Sequence, residues 1–228
     1  GKLYILTKKK LYCFGKASGG DQPDSVITPA IPGKASAKAV SLQIVPGDVL
    51  LKPGQKVALS INKIDQYGNV LESGVTADLV KYIPPAAKVK TQMNASVSNN
   101  AIIADAANVD SAGAWKATSA DGLTGLLRGR VLPKIPYTED FEGYDLTVDH
   151  PVDGVKFAYP PLAWTGARLK WEVRDMDGNQ VFAKTLDRVL FQRAITIFGD
   201  PESSSYTMEA DVMTDGNRRI KGNIGFIN

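Results

Sequence analysis

One phrase recurs along this chain: an alternating apolar run, a turn rich in Asp, Gly and Asn, and a second run. Ser60-Ile61-Asn62-Lys63-Ile64, then Asp65-Gln66-Tyr67-Gly68-Asn69, then Val70-Leu71 is one copy. Lys170-Trp171-Glu172-Val173-Arg174, then Asp175-Met176-Asp177-Gly178-Asn179, then Gln180-Val181-Phe182 is another. Alternation puts the apolar side chains of a strand on one face, and Asp-Gly or Gly-Asn supplies the positive φ of a tight hairpin. Sheets written this way must cover their apolar faces with one another, so the chain reads as all-β with sandwich packing.

The totals agree with a folded chain. Of the 228 residues 43% are hydrophobic and 22% charged, which excludes wholesale disorder. The net charge is only +3, and Lys8-Lys9-Lys10 is the sole basic run, so no cationic stripe predicts nucleic-acid binding. A single cysteine, Cys13, can form neither an internal disulfide nor a zinc site, and its place in Lys10-Leu11-Tyr12-Cys13-Phe14 reads as strand packing. No run reaches the roughly 20 apolar residues of a membrane span. Both ends fall within strand-like wording, Gly1-Lys2-Leu3-Tyr4-Ile5-Leu6 and Gly225-Phe226-Ile227-Asn228, which reads as a piece of a longer protein.

Four segments follow from composition. Residues 1–16 read as a small hairpin, and residues 17–36, with Gly19-Gly20-Asp21-Gln22-Pro23 and Thr28-Pro29-Ala30-Ile31-Pro32-Gly33, as an extended linker. Residues 37–133 carry about seven short strands, the count of an immunoglobulin-like sandwich. Within them residues 83–100 alternate poorly and read as a long inter-sheet loop with one weak strand. Residues 134–228 begin a second β-module after Pro133-Lys134-Ile135-Pro136.

Three resemblances attach to these segments. Leu3-Tyr4-Ile5 and Leu11-Tyr12-Cys13 resemble the closing strands of a blade in the pyrroloquinoline-quinone-like β-propeller family, which implies a propeller preceding this segment; no cofactor-binding residue of that family is present to carry over. Leu42-Gln43-Ile44-Val45-Pro46, Leu51-Lys52-Pro53-Gly54-Gln55, Asp65-Gln66-Tyr67-Gly68-Asn69 and Gly113-Ala114-Trp115-Lys116-Ala117-Thr118 resemble bacterial Ig-like domains of surface and exported proteins. Glu139-Asp140-Phe141-Glu142-Gly143-Tyr144 looks like the entry strand of a concanavalin-A-like jelly roll. Ser205-Tyr206-Thr207-Met208-Glu209-Ala210-Asp211-Val212-Met213 looks like its long central strand, and Asn223-Ile224-Gly225-Phe226-Ile227 like the next. That jelly roll is incomplete, which implies an open apolar face or pairing with material outside this chain.

Candidate chemistry is sparse. Asp175, Asp177 and Asn179 space oxygen ligands as calcium prefers, but the third acidic residue and distal Glu of a helix-loop-helix site are missing, so a hairpin turn is the reading and calcium the weak alternative. Glu139, Asp140 and Glu142 lie near Asp145, Asp149 and His150. Glycosidic acid–base chemistry needs two carboxyls about 5 to 9 Å apart, whereas neighbours on a strand point to opposite faces. His150 reads as an exposed loop histidine with no assignable nucleophile. Asp215-Gly216-Asn217-Arg218-Arg219 reads as a solvated turn. Trp115 and Trp171 read as core. Tyr159-Pro160-Pro161-Leu162-Ala163-Trp164 is loop-like, so Tyr159 and Trp164 are the candidate ligand contacts, since aromatic faces stack on the C–H surfaces of sugar rings.

The expectation is therefore an all-β chain, an Ig-like β-sandwich plus a partial jelly-roll-like β-sandwich, forming a non-catalytic fragment of an exported bacterial protein. The first unit would be a spacer and the second would recognise a ligand, by fold analogy a carbohydrate, in the periplasm or at the cell surface and with no cofactor. Two alternatives stand beside it. One is an accessory region of a propeller quinoprotein or glycoside-processing enzyme. The other is a structural component that pairs with a protein partner, or with the rest of its parent chain, at open β edges.

Overall fold

A computed structural model describes the strands at residues 3–6 and 11–14, residues 33–213 apart from 88, 108, 152, 169 and 185–193, and Gly225. Among these residues there is no helix; every regular element is a strand. β1 (Leu3–Leu6) and β2 (Leu11–Phe14) pair antiparallel, with Tyr4 opposite Cys13. The expected linker lies almost wholly outside the described residues, as do Asn223, Ile224, Phe226 and the Arg218-Arg219 turn.

Ten strands follow: β3 (Ser41–Val45), β4 (Asp48–Leu51), β5 (Lys56–Ala58), β6 (Ser60–Ile64), β7 (Val70–Ser73), β8 (Ala77–Tyr82), β9 (Ala95–Ser98), β10 (Ala101–Ala104), β11 (Ser111–Ser119) and β12 (Thr124–Val131). The order β4-β12-β11-β8 makes one sheet, and β3-β6-β7 and β5-β10-β9 make two smaller ones. Their apolar faces meet in a single core that includes Leu42, Ile44, Leu51, Ile61, Ile102, Trp115, Leu127 and Val131. The packing is sandwich-like: each strand contributes alternate residues, as its two-residue period requires. In β12, Leu127, Gly129 and Val131 are buried, while Leu126 and Arg128 stand outside. The same parity sends Arg130, paired with Ala112 of β11, to the outer face.

Two local features depart from a simple reading of the pattern. The run from residue 56 to 64 is two strands in two sheets, because β5 pairs β10 while β6 pairs β3. Leu59, between them, buries its side chain and donates its N–H to Asn100 O at 2.7 Å. Such a crossing turns a sandwich corner without leaving an orphaned amide. Within residues 83–100, β9 closes against β10 through Asn99 and Asn100, at φ +50° and +53°; asparagine tolerates this left-handed region.

A second four-stranded sheet, β13-β14-β15-β16, comprises β13 (Val148–Asp149), β14 (Lys156–Ala158), β15 (Glu172–Met176) and β16 (Asn179–Ala183). Met176 opposite Asn179 leaves Asp177 and Gly178, both at positive φ, as a two-residue hairpin loop. Aliphatic burial is thin here and aromatic rings replace it. Trp171 stacks on Phe182 at 4.6 Å, and Phe141 stacks on Phe182 at 5.7 Å.

Two expected strands are not strands. Residues 139–144 form a turn: Phe141 takes φ +64°, Glu139 Oε1 accepts the Phe141 N–H, and Asp140 Oδ1 accepts the Glu142 N–H. Local side-chain acceptors outcompete a ladder there. Residues 205–213 join no ladder, and Tyr206, Val212 and Met213 are exposed. A β pattern becomes a strand only beside a partner edge.

Candidate ligand-binding cleft

The segment from Tyr159 to Arg168 joins β14 to β15 and is fixed on both sides. Pro160 and Pro161 restrict its backbone, and Trp164 N–H reaches Pro161 O at 3.2 Å. Thr165 and Ile197 exchange backbone hydrogen bonds of 2.7 and 2.9 Å. Gly166 lies at φ +78°, and a Cβ there would sit 2.8 Å from Ile195 O, so glycine is required. Asp110, at the approach to β11, accepts the Ala163 N–H on Oδ2 at 3.1 Å and ties the segment to the sandwich. Lys52 and Asp200 make a second link, 2.6 Å apart.

Between this segment and the outer face of the sandwich lies a cleft of about 120 Å³. Thr91, Ala112 and Arg130 line it from one side, and Tyr159, Trp164 and Arg168 from the other. The two residues singled out as ligand contacts thus share one cleft. Arg130 and Arg168 join them, although the pattern drew no attention to either. The signal for Arg130 was its parity in β12; Arg168 had none, because its place depends on how the loop folds.

The geometry changes what each aromatic residue offers. Trp164 is held by its neighbours: Phe198 stacks on it at 4.7 Å and Phe182 meets it edge-on at 4.9 Å. Its Nε1 is buried without a hydrogen-bond partner. Tyr159 packs edge-on against Phe157 at 5.4 Å, and the Arg168 guanidinium lies 5.8 Å from the Tyr159 ring centre. Arg130 Nε is likewise buried and unpartnered.

Comparison of the chain with protein-family models, with curated proteins and with solved structures finds no match.

The other candidates sit elsewhere. Glu139 accepts the Tyr137 hydroxyl at 2.8 Å besides the Phe141 amide, and Glu142 Oε1 accepts the Gln180 N–H at 2.8 Å. These carboxylates hold the turn to β16. Burial first, and then Glu139, push the Tyr137 and Tyr144 phenols well above their ordinary range. Asp175, Asp177 and Asn179 shape the β15–β16 hairpin, with Asp175 Oδ1 accepting the Gly178 N–H at 3.3 Å. Among the described residues no group of three or more His, Cys, Asp or Glu could hold a metal ion.

His150 corrects its expectation. It is 5% exposed rather than a loop-surface residue. Nδ1 lies 2.9 Å from Asp153 Oδ1 and Nε2 lies 3.4 Å from Glu172 Oε1. Arg174 closes the circuit, 2.6 Å from Glu172 Oε2 and 3.0 Å from Asp153 Oδ2. A lone histidine beside proline carries no sequence signal of this, since its partners come from β15 and the following loop.

Proposed function

We propose that this chain is a non-catalytic, ligand-binding β-module of an exported bacterial protein, in which the sandwich is a rigid support and the cleft beside Arg130 receives a carbohydrate residue. One observation carries the reading: Tyr159 and Trp164, five residues apart on a stapled loop, line a single cleft with polar groups facing them across it. Concave sites with apolar walls and a few polar groups are the usual form of small-ligand sites. The Ig-like and jelly-roll-like resemblances agree with such a module.

Intrinsic fluorescence of the whole chain, titrated with a panel of soluble glycans, tests it. A saturable change that Trp164→Phe diminishes supports the reading, and a flat response from folded protein sinks it. Phenylalanine keeps the stacking on Phe198 that alanine would remove.

A structural role is the second reading, favoured by β7. All four of its residues are exposed, Val70 and Leu71 among them, and it lies at the edge of its sheet. Exposed edge strands are templates for pairing. Concentration-dependent assembly in sedimentation, abolished by Leu71→Lys, would favour it.

A further inference from the structure

Three residues that line the cleft carry donors for which no described group is an acceptor. Arg130 Nε and Trp164 Nε1 are buried without partners. Arg168 is exposed and makes no ion pair with any described residue; its recorded contact is the Tyr159 ring. Among the described residues no Asp or Glu lines the cleft, where Arg130 and Arg168 place two guanidinium groups without an ion-pair partner. Buried polar groups are nearly always satisfied, and a group left without a partner calls for an explanation. An entering acceptor supplies one. A hydroxyl could satisfy the N–H groups but not the charge, whereas a carboxylate does both, and its two oxygens match the planar fork of arginine.

We infer that the cleft binds the carboxylate of an acidic sugar residue, with Arg130 and Arg168 as its counter-charges and Trp164 Nε1 as a neutral donor. The sugar part rests on the carbohydrate reading above; the anionic part rests on the unpaired donors alone. At about 120 Å³ the cleft is well below the roughly 300–1,000 Å³ of sites that engulf a drug-sized ligand. It therefore takes one charged residue, while the remainder of a polysaccharide runs along the surface.

The test is calorimetric titration of the whole chain with polygalacturonate, with the same polymer after carboxyl reduction to the neutral galactan, and with sodium citrate. Polygalacturonate binding that falls at least about tenfold on carboxyl reduction, and again on Arg130→Gln or Arg168→Gln, is the expected result, since a charge-assisted hydrogen bond contributes a factor of that order. Arg130→Lys keeps the charge but loses the fork, and recovers only part of the affinity. Equal binding of both polymers, unchanged by either glutamine variant, overturns the acidic assignment and leaves the carbohydrate reading intact. Citrate binding that needs Arg130, with neither polymer bound, overturns the sugar assignment and leaves a carboxylate site. Failure of all three probes overturns both. Near-ultraviolet circular dichroism of each variant shows that it remains folded.

Discussion

Asp110 and Ala163, 53 residues apart, are joined by a 3.1 Å hydrogen bond from the Ala163 amide to the Asp110 carboxylate. This contact seats the cleft segment on the sandwich, so the cleft is formed by strands and loop together rather than by the loop alone. Asp110→Ala removes an acceptor whose bond to a charged group contributes about 1.5–3 kcal/mol. The expected result is faster hydrogen exchange at the Ala163 amide and weaker ligand binding, with the sandwich core still protected. Unchanged exchange at Ala163 would show that the segment is held without Asp110.

The parity of β12 predicts opposite outcomes at adjacent leucines. Leu127 is 0% exposed and Leu126 51%. Leu127→Ala leaves a core cavity and costs about 2–5 kcal/mol, whereas Leu126→Ala stays within about 0.5 kcal/mol. Urea denaturation of the two variants measures both, and similar midpoints would refute the register.

Gly125 faces the backbone of β3, and a Cβ added there would stand 2.5 Å from Leu42 O. Because the obstacle is backbone, relief requires the sheets to part. Gly125→Ala is expected to destabilise by about 1–3 kcal/mol, the range for overpacking. A thermal midpoint equal to that of the parent chain would contradict it.

Asp65 predicts an acid transition. Its side chain is 2% exposed. Burial alone would raise its pKa, but N–H donors from Ser36, the side chain and backbone of Asn69, and Tyr67 outweigh it and hold the carboxyl at about 2, below the ordinary 3.8. A depressed pKa contributes stability that is complete above the unfolded value and is lost as pH falls through the folded one. The contribution therefore disappears between about pH 4 and pH 2. Thermal midpoints of the parent and Asp65→Asn should differ at pH 6 and converge toward pH 2; a constant gap would falsify the assignment.

Arg174 sits between Glu172 and Asp153 beside His150. Arg174→Met removes the cation and leaves two carboxylates facing one another. The expected loss is about 1–3 kcal/mol, less than for a fully enclosed pair because Asp153 is 42% exposed. Adding Asp153→Asn should recover part of it, as a double-mutant cycle would read.

Much of the architecture was legible in the residues, and the reason is local. A two-residue period and a turn dipeptide act over a few positions, so β6, β11, β12 and the Asp177-Gly178 hairpin could be read without knowing their partners. The same wording failed at residues 139–144, where Glu139 and Asp140 bind nearby amides, and at residues 205–213, where no described edge accepts the segment. Tyr159 and Trp164 were legible as loop-borne aromatics, but the stacking of Trp164 on Phe198 was not, because Phe198 is distant in sequence.

By itself, then, the sequence determined that the chain is all-β and, through alternation, which face of most strands is apolar. Only the tertiary structure decided what stands opposite what. It buried His150 beside Asp153 and Glu172, split residues 56–64 between two sheets, and brought Arg130 from β12 to the same cleft as Trp164 and Arg168. The division is physical. Periodicity is set by the geometry of one strand, whereas these contacts depend on which surfaces meet once the chain has folded.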